Sequence, residues 1–457
     1  MTTPDETVSA DATPPSKTAA TGVLLVLTLA YVFNLLDRSI VYILQEDIKA
    51  EFALQDWQIG LLGGAAFGLF YAVMGIPIAR LSETRSRTTL LKICVLLWSA
   101  LTALCGMAQS FIMLLLIRTG VAVGEAGGSP LSHSLISDYY PPQRRATALA
   151  VYSIAVPIGL LAGSVLGGFI ADAVGWRWAF VLVGLPGVGV AGLIHLVIKE
   201  PRRGRLDPVA PTQDDRPPPF LSVLRQMLGD KRVLLVLAGS SVAAFAAYGV
   251  TTFMAGWYVR NFQLDLKTVG LIFGLIFGVS AAIGTYAGGA ISDRLGARDR
   301  RWYMLLPALC LASAAPLYVL GFRQDSPWIA AAIMCLPGLL TTAHYGATFS
   351  TVNNAFNARM RTTAVSLMFL VHAIIGMSLG PLFTGGLSDL FAGRVLASAD
   401  AAALCAASPA NDICAAASAE GLTTALTITA LLFLVAAALY GFAAMERKSP
   451  SFGDETA

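Results

Sequence analysis

The sequence predicts an all-α integral membrane protein, with twelve transmembrane helices arranged as two six-helix bundles. Three observations lead there. Of 457 residues, 56% are hydrophobic and only 13% are charged, against roughly 25% charged in an ordinary soluble domain. Twelve apolar runs each approach or exceed the ~20 residues that a helix needs to cross a bilayer, and only helices or closed barrels satisfy their backbone in hydrocarbon. One long polar segment, residues 199–232, divides the runs six and six.

In chain order the runs read 22–44, 59–79, 89–109, 111–136, 146–171 and 179–198, then 233–257, 268–291, 303–321, 327–350, 362–387 and 422–444. They define a tail over 1–21, expected to be disordered, an N-terminal bundle over 22–198, the linker 199–232, a C-terminal bundle over 233–444 and a second tail over 445–457. The first tail holds Asp5, Glu6 and Asp11 and lacks the basic start of a cleavable signal, so the first span is expected to insert uncleaved. Of the 31 Lys and Arg, Arg38 and Arg118 lie inside spans and six (Lys49, Arg177, Arg260, Lys267, Arg323 and Arg394) fall on one side; the other 23 gather on the opposite side. Positive charge favours the cytoplasm, so both termini are predicted cytoplasmic, in a multi-pass protein of a bacterial inner (plasma) membrane. A net charge of +3 spread over loops does not suggest a nucleic-acid partner.

The linker carries Pro201, Pro208 and Pro217 to Pro219, followed by Phe220, Leu221, Val223, Leu224, Met227 and Leu228 at helical spacing. A short amphipathic helix on the inner leaflet fits this pattern; a solvated tether is the alternative. Cys94, Cys105, Cys310 and Cys335 lie within spans and read as small packing residues. Cys405 and Cys414 share the loop before the last span, on the side where oxidation is permitted. They are the disulfide candidate, although spacing alone does not establish bond geometry.

Four charges lie deep in the apolar runs. Asp37 and Arg38 interrupt the first, and Arg118 and Glu125 stand in the fourth, two helical turns or about 10 Å apart on one face. Ionisable groups at such depth are costly and mark substrate or proton paths. Consecutive residues on a helix point about 100° apart, so one of Asp37 and Arg38 is expected to face a central cavity and the other a neighbouring helix. The expected switch has Glu125 take a proton, loosening its pairing with Arg38 or Arg118, with Asp37 as the alternative partner. A static network tying the first and fourth spans together is the competing reading.

A loop repeats at equivalent places in the halves. After the eighth span it reads Gly289-Ala-Ile291-Ser-Asp293-Arg294-Leu-Gly296-Ala-Arg298, and after the second Ala79-Arg80-Leu81-Ser82-Glu83-Thr84-Arg85-Ser86-Arg87. It resembles the loop signature of the major facilitator superfamily, whose acid and arginines latch helices at the cytoplasmic face; the latch residues are then Glu83, Arg87, Asp293, Arg294 and Arg298. In the first copy Ala79, Thr84 and Ser86 replace usual signature residues. Within that superfamily, Asn34-Leu-Leu-Asp37-Arg38 and Arg118-Thr-Gly-Val-Ala-Val-Gly124-Glu125-Ala126, with Ile136-Ser-Asp138-Tyr-Tyr-Pro141-Pro142 and Trp176-Arg177-Trp178-Ala-Phe180, resemble the Spinster family of lipid and lysolipid transporters. The likeness covers about the first 190 residues. It implies a proton-coupled secondary transporter moving an amphipathic lysolipid or sphingolipid-like solute, with Glu125 and Asp37 coupling protons and Arg38 and Arg118 gating. A drug, organic-acid or sugar transporter of the same fold is the alternative; a lipid-modifying enzyme would need a nucleophile or metal cluster near a membrane face, and none is visible.

Candidate cavity residues are Asn34, His133, Tyr248, His344, Tyr345 and His372. His133, eight residues beyond Glu125, is a proton relay or a helix-interface histidine. No histidine pair has the i, i+4 spacing of a helical metal site, so no metal or cofactor is expected, and protons are the coupling ion. Phe67, Phe70, Tyr71, Tyr248, Phe253 and Trp257 would suit an aliphatic chain, but aromatics there also serve as lipid-facing anchors, and Trp257 with Tyr258 at a span end fits that second role. Pro157 with Gly159, Gly163, Gly167 and Gly168, and Gly376, Gly380 and Pro381, are close-packing or bending points of the fifth and eleventh spans. The partners expected are the bilayer and a small amphipathic solute, with the protein a monomer.

Overall fold

The computed structural model describes residues 16–204, 206, 220–356, 358–396 and 411–446. Twelve helices in it are long and apolar enough to span a membrane: Lys17–Phe52, Asp56–Thr84, Arg87–Cys105, Phe111–Tyr139, Pro142–Val174 and Trp176–Val197, then Lys231–Phe262, Leu266–Gly296, Trp302–Gly321, Pro327–Ala355, Thr363–Val395 and Asp412–Met445. We call these the first to twelfth spans. Most exceed their apolar runs, and at several N-termini a capping side chain sets the start. Ser16 accepts the Ala19 N–H, so the first span starts at Lys17 and not at 22. Asn411 accepts the Ile413 N–H, so the twelfth starts at Asp412 and not at 422. Such a cap satisfies an amide that the helix cannot.

Several spans are interrupted, and the interruptions match between the halves. The second and eighth contain π-helical turns, Leu61–Ala65 and Gly274–Ser280. The fourth breaks at 126–127 and the tenth at 341–343. The fifth breaks at Ile154, just before Pro157, and the eleventh has a wide turn, His372–Leu379, just before Pro381. Proline lacks the N–H that would continue the ladder, which accounts for the last two.

Close helix approach rests on glycine. A Cβ on Gly163 would stand 2.0 Å from Ser39 Oγ and 2.6 Å from Leu36 O, which brings the fifth span onto the first. The halves meet at Gly168 on Leu266, Gly270 on Ser164, and Gly60 and Gly64 on Pro381. These contacts couple the fifth span to the eighth and the second to the eleventh, on the side away from the linker. On the linker side, the ends of the fourth and tenth spans pack within their own bundles. The inter-bundle glycine contacts thus close the two bundles on each other at the far side.

The linker helix, Phe220–Gly229, lies against the C-terminal bundle. Val223 and Met227 are buried with Val352, Phe356 and Met368, while Leu221 and Leu228 face outward. The anchoring role expected for Trp257 and Tyr258 is overturned. Both are 1% exposed because the seventh span runs on to Phe262, with Trp257 packed on Phe262 and Phe322 and Tyr258 on Phe262. Cys414 is disulfide-bonded, and Cys405 lies outside the described residues.

Gly163→Ala is expected to lower the thermal unfolding midpoint in detergent by several degrees, through overpacking of about 1–3 kcal/mol. Gly192→Ala, where a Cβ meets nothing within 4 Å, is the matched control that leaves the midpoint in place. Equal midpoints for the two variants would refute this packing argument.

Candidate functional site

The four deep charges form two ion pairs between the first and fourth spans. Asp37 is 2% exposed; its Oδ1 accepts Arg118 Nη1 at 3.1 Å and its Oδ2 accepts the Thr102 hydroxyl at 2.7 Å. Arg38 turns away from it. Its Nε donates to Glu125 Oε2 at 2.6 Å, and its guanidinium lies 4.5 Å from the Tyr71 ring centre and 5.0 Å from that of Phe67. The roughly 100° between neighbouring side chains thus sends Asp37 into the helix interface and Arg38 to the wall between the bundles. The Arg118 guanidinium also lies over the Phe67 ring, 5.2 Å from its centre.

The network is not saturated. Among the described residues, Glu125, 1% exposed, has no hydrogen-bond partner for Oε1, and Arg118 has none for Nε. Glu125 closes the helical segment Phe111–Glu125, directly before the break in the fourth span. Beside its partner Arg38 lies a cavity of about 20 Å³ lined by Arg38, Val41, Tyr42, Gly63, Phe67, Arg118, Tyr248 and Met377, enough room for one water. Tyr248 and Met377 belong to the C-terminal bundle, so both bundles touch this space.

The remaining candidates separate. Asn34 is 2% exposed, one turn from Asp37, with Nδ2 unpartnered. His133 is exposed on the fourth span, with its ring edge-on to Tyr152 of the fifth at 5.3 Å. In the C-terminal bundle, His344 Nδ1 sits 2.8 Å from Thr341 O, which fixes the proton on Nδ1 and leaves Nε2 a bare acceptor. Tyr345 packs on its ring at 4.5 Å, and His372 Nε2 meets Ser240 Oγ at 2.9 Å. His344 follows the break in the tenth span as Glu125 precedes the break in the fourth.

The linker-side latch has different partners from those expected. Glu83 is exposed and forms no ion pair among the described residues. Arg87 is 1% exposed and binds Asp138 of the fourth span, Glu200 at 2.9 Å and the Pro201 carbonyl at 2.9 Å. A carboxylate from another helix reaches a buried guanidinium better than one in the preceding turn, whose side chain points to water. In the C-terminal copy, Asp293, Arg294 and Arg298 are exposed; Asp293 accepts the Tyr303 hydroxyl at 3.4 Å and no ion pair joins them among the described residues. Partial burial opposes ionisation of Glu200, but the Thr88 N–H, Ser86 and Arg87 outweigh it and bring its pKa down to about 2.

Sequence reasoning missed a third cluster, at the far-side ends of the first, second, seventh and eleventh spans. Arg260 binds Glu46 and Asp56 there, and Lys49, Ser388 and Asp389 complete it. Its residues fall at the edges of apolar runs, where charge is ordinary; only the placement of distant spans brings them together.

Known proteins resemble this chain along most of its length. The model of the Major Facilitator Superfamily matches residues 27–381. An MFS-type efflux pump of Mycolicibacterium smegmatis is 34% identical over 81% of this chain and 84% of its own length. Human protein spinster homolog 1 is 26% identical over 80% of this chain and 73% of its own. Among solved structures, a bacterial homolog of the human lysosomal transporter Spinster, inward-facing and unoccupied, superposes with a TM-score of 0.87 at 32% identity, covering 95% of this chain and all of that one.

Because the pKa of Glu200 lies below its ordinary 4.5, its contribution to stability is full above that pH and lost as pH falls toward about 2. Glu200→Gln is expected to flatten this part of the acid-unfolding profile of the purified protein. An unchanged slope between those values would show that the carboxylate gains nothing from its partners.

Proposed function

The chain belongs to the major facilitator superfamily and is a Spinster-like transporter, and from that premise we propose that it moves an amphipathic lysolipid or sphingolipid-like molecule by proton-coupled alternating access. The observation that carries the reading is Glu125, buried at the wall between the bundles with one oxygen on Arg38 and the other free. Asp37 already accepts Arg118 and Thr102, so the switch narrows to the Glu125–Arg38 pair. A proton on Glu125 cancels its charge and leaves Arg38 held only by the Phe67 and Tyr71 rings. Protonation that is easier in one access state than the other shifts the balance between them.

The solute class is supported by the same wall. Two guanidiniums beside aromatic faces suit a molecule with an anionic or zwitterionic head and an apolar body. Spinster homologs stand among the relatives, and a lipid-like solute is what resemblance to that family implies. A drug, organic-acid or sugar substrate is the second reading, favoured by the efflux pump at 34% identity and by a probable L-galactonate transporter of Escherichia coli at 24%. We take the linker face as cytoplasmic, with both termini there, on the distribution of basic residues. We also take the working unit to be a monomer, using protons and no metal or cofactor.

Protein in liposomes under an imposed pH gradient, offered lysolipids, sphingoid phosphates and common drugs in parallel, is expected to move a lysolipid or sphingoid phosphate fastest. Glu125→Gln is expected to cut gradient-driven movement at least about tenfold, a loss of coupling of ~1.4 kcal/mol or more, while exchange without a gradient persists. Driven transport that survives in this variant would remove Glu125 as the proton carrier. Saturable movement of drugs or sugars alone would select the second reading.

A further inference from the structure

A basic patch gathers where the seventh and twelfth spans end on the linker side. Lys231 opens the seventh span, and Glu446 follows the last residue of the twelfth. Their charged groups pair at the surface, with the Lys231 side chain 73% exposed. Arg232 donates through Nη2 to the Glu446 carbonyl, while its Nε finds no partner among the described residues. Asp230 is occupied as the helix cap, its Oδ1 accepting the N–H groups of Arg232 and Val233 at 2.9 and 3.1 Å. The sequence continues Arg447-Lys448 after Glu446, so over residues 225–232 and 446–448 five cations stand against two acids.

Apolar surface adjoins this charge. A groove of about 530 Å³ runs between the two spans, lined by Lys231, Leu235, Phe442, Met445 and Glu446. Phe442 and Met445 are 58% and 77% exposed. The linker helix adds a second strip, because Leu221, Arg225 and Leu228 stand at i, i+4 and i+7 and are all exposed. Val223 and Met227, on its other face, are the residues buried on the bundle. The helix ends at Gly229, two residues before Lys231. Exposed leucines with a basic residue between them, at the level where spans end, belong at the boundary of headgroups and acyl chains.

We propose that this groove and the adjoining linker helix form a binding site for one anionic phospholipid of the leaflet on the linker side. An acyl chain lies along Leu235, Phe442 and Met445, and the phosphate meets Lys231, with Arg225 and Arg232 adding to the positive field. The excess of cations selects an anionic lipid over a zwitterionic one, and the apolar floor selects a lipid over a soluble anion. The Lys231–Glu446 pair does not bar the phosphate. An ion pair so exposed contributes little, and an ammonium has three donors, so Lys231 serves both oxygens. The lipid held here stays with the protein, and its site depends on neither the proton nor the solute assigned above.

The test is native mass spectrometry of the full chain in detergent, which counts bound lipids one by one. The protein is titrated with phosphatidylglycerol, with phosphatidylcholine of the same acyl chains, and with the soluble headgroup glycerophosphoglycerol. The first phosphatidylglycerol is expected to bind at least about tenfold tighter than the first phosphatidylcholine, and the soluble headgroup not measurably. Lys231→Gln and Arg225→Gln are each expected to weaken phosphatidylglycerol about fivefold, the effect of one basic residue at an anionic surface. Leu235→Trp fills the groove without altering charge and is expected to weaken both lipids. Lys92→Gln removes a half-buried lysine of the other bundle and is expected to leave both affinities in place. Equal affinity for the two lipids, parent-like affinity in Lys231→Gln and Arg225→Gln combined, or an equal loss in Lys92→Gln would overturn the proposal. So would a soluble headgroup bound as tightly as the lipid, which marks an anion site without a groove. A loss confined to Arg38→Gln would equally overturn it, because the lipid would then sit at the central wall. None of these outcomes touches the transport reading, which is measured by movement in liposomes.

Discussion

A charge withdrawn from water needs a partner, and in a helix bundle that partner comes from a different helix. This constraint organises the molecule at three levels along the membrane normal. Near the middle, Asp37 and Arg38 of the first span are matched by Arg118 and Glu125 of the fourth. On the linker side, Arg87 draws in Asp138 and Glu200. On the far side, Arg260 gathers Glu46 and Asp56. The first two clusters tie helices within one bundle, whereas the third joins the bundles. That difference separates charges that hold one bundle together from charges that hold the two bundles to each other.

Packing imposes the complementary constraint. Apolar side chains gain little from meeting one another in lipid, so association relies on close van der Waals approach and on hydrogen bonds. The glycines of the fifth span place its backbone against the first, and those of the second and eighth let the bundles touch without interlocking side chains. Interfaces built from small residues can part and reform without repacking a jigsaw of large ones. Breaks and wide turns in the second, fourth, fifth, eighth, tenth and eleventh spans supply places where a helix can bend.

The fold was legible because it follows from local quantities. Apolar length gives twelve spans, the proline-rich segment gives the division into halves, and Asp37, Arg38, Arg118 and Glu125 stand out as charges where none should be. Even the divergence of Asp37 from Arg38 follows from helical rotation. What was not legible depends on long-range placement. Glu83 sits in the sequence where a partner for Arg87 is expected, but the fold turns it to water and supplies Asp138 and Glu200 instead. Trp257 and Tyr258 looked like membrane-edge anchors because hydropathy ended their span five residues before its helix does. The far-side cluster left no local trace, since a charge beside an apolar run is what any loop would show.

The first span links the two clusters that matter for movement. Arg38 and Glu46 lie eight residues apart on one unbroken helix, about 12 Å along its axis. The second span follows directly and carries Phe67 and Tyr71 beside Arg38, with Asp56 beside Arg260. Arg38, which faces Glu125, and Glu46, which faces Arg260, therefore stand on the same continuous helix. Communication between distant sites requires an element with two arrangements that both sites bias. The first span is the element that touches both sites, with Glu125 on Arg38 and Arg260 on Glu46. Weakening either end need not disrupt the bundle, because its internal ties, Asp37 to Arg118 and Gly163 to Leu36, do not pass through either contact.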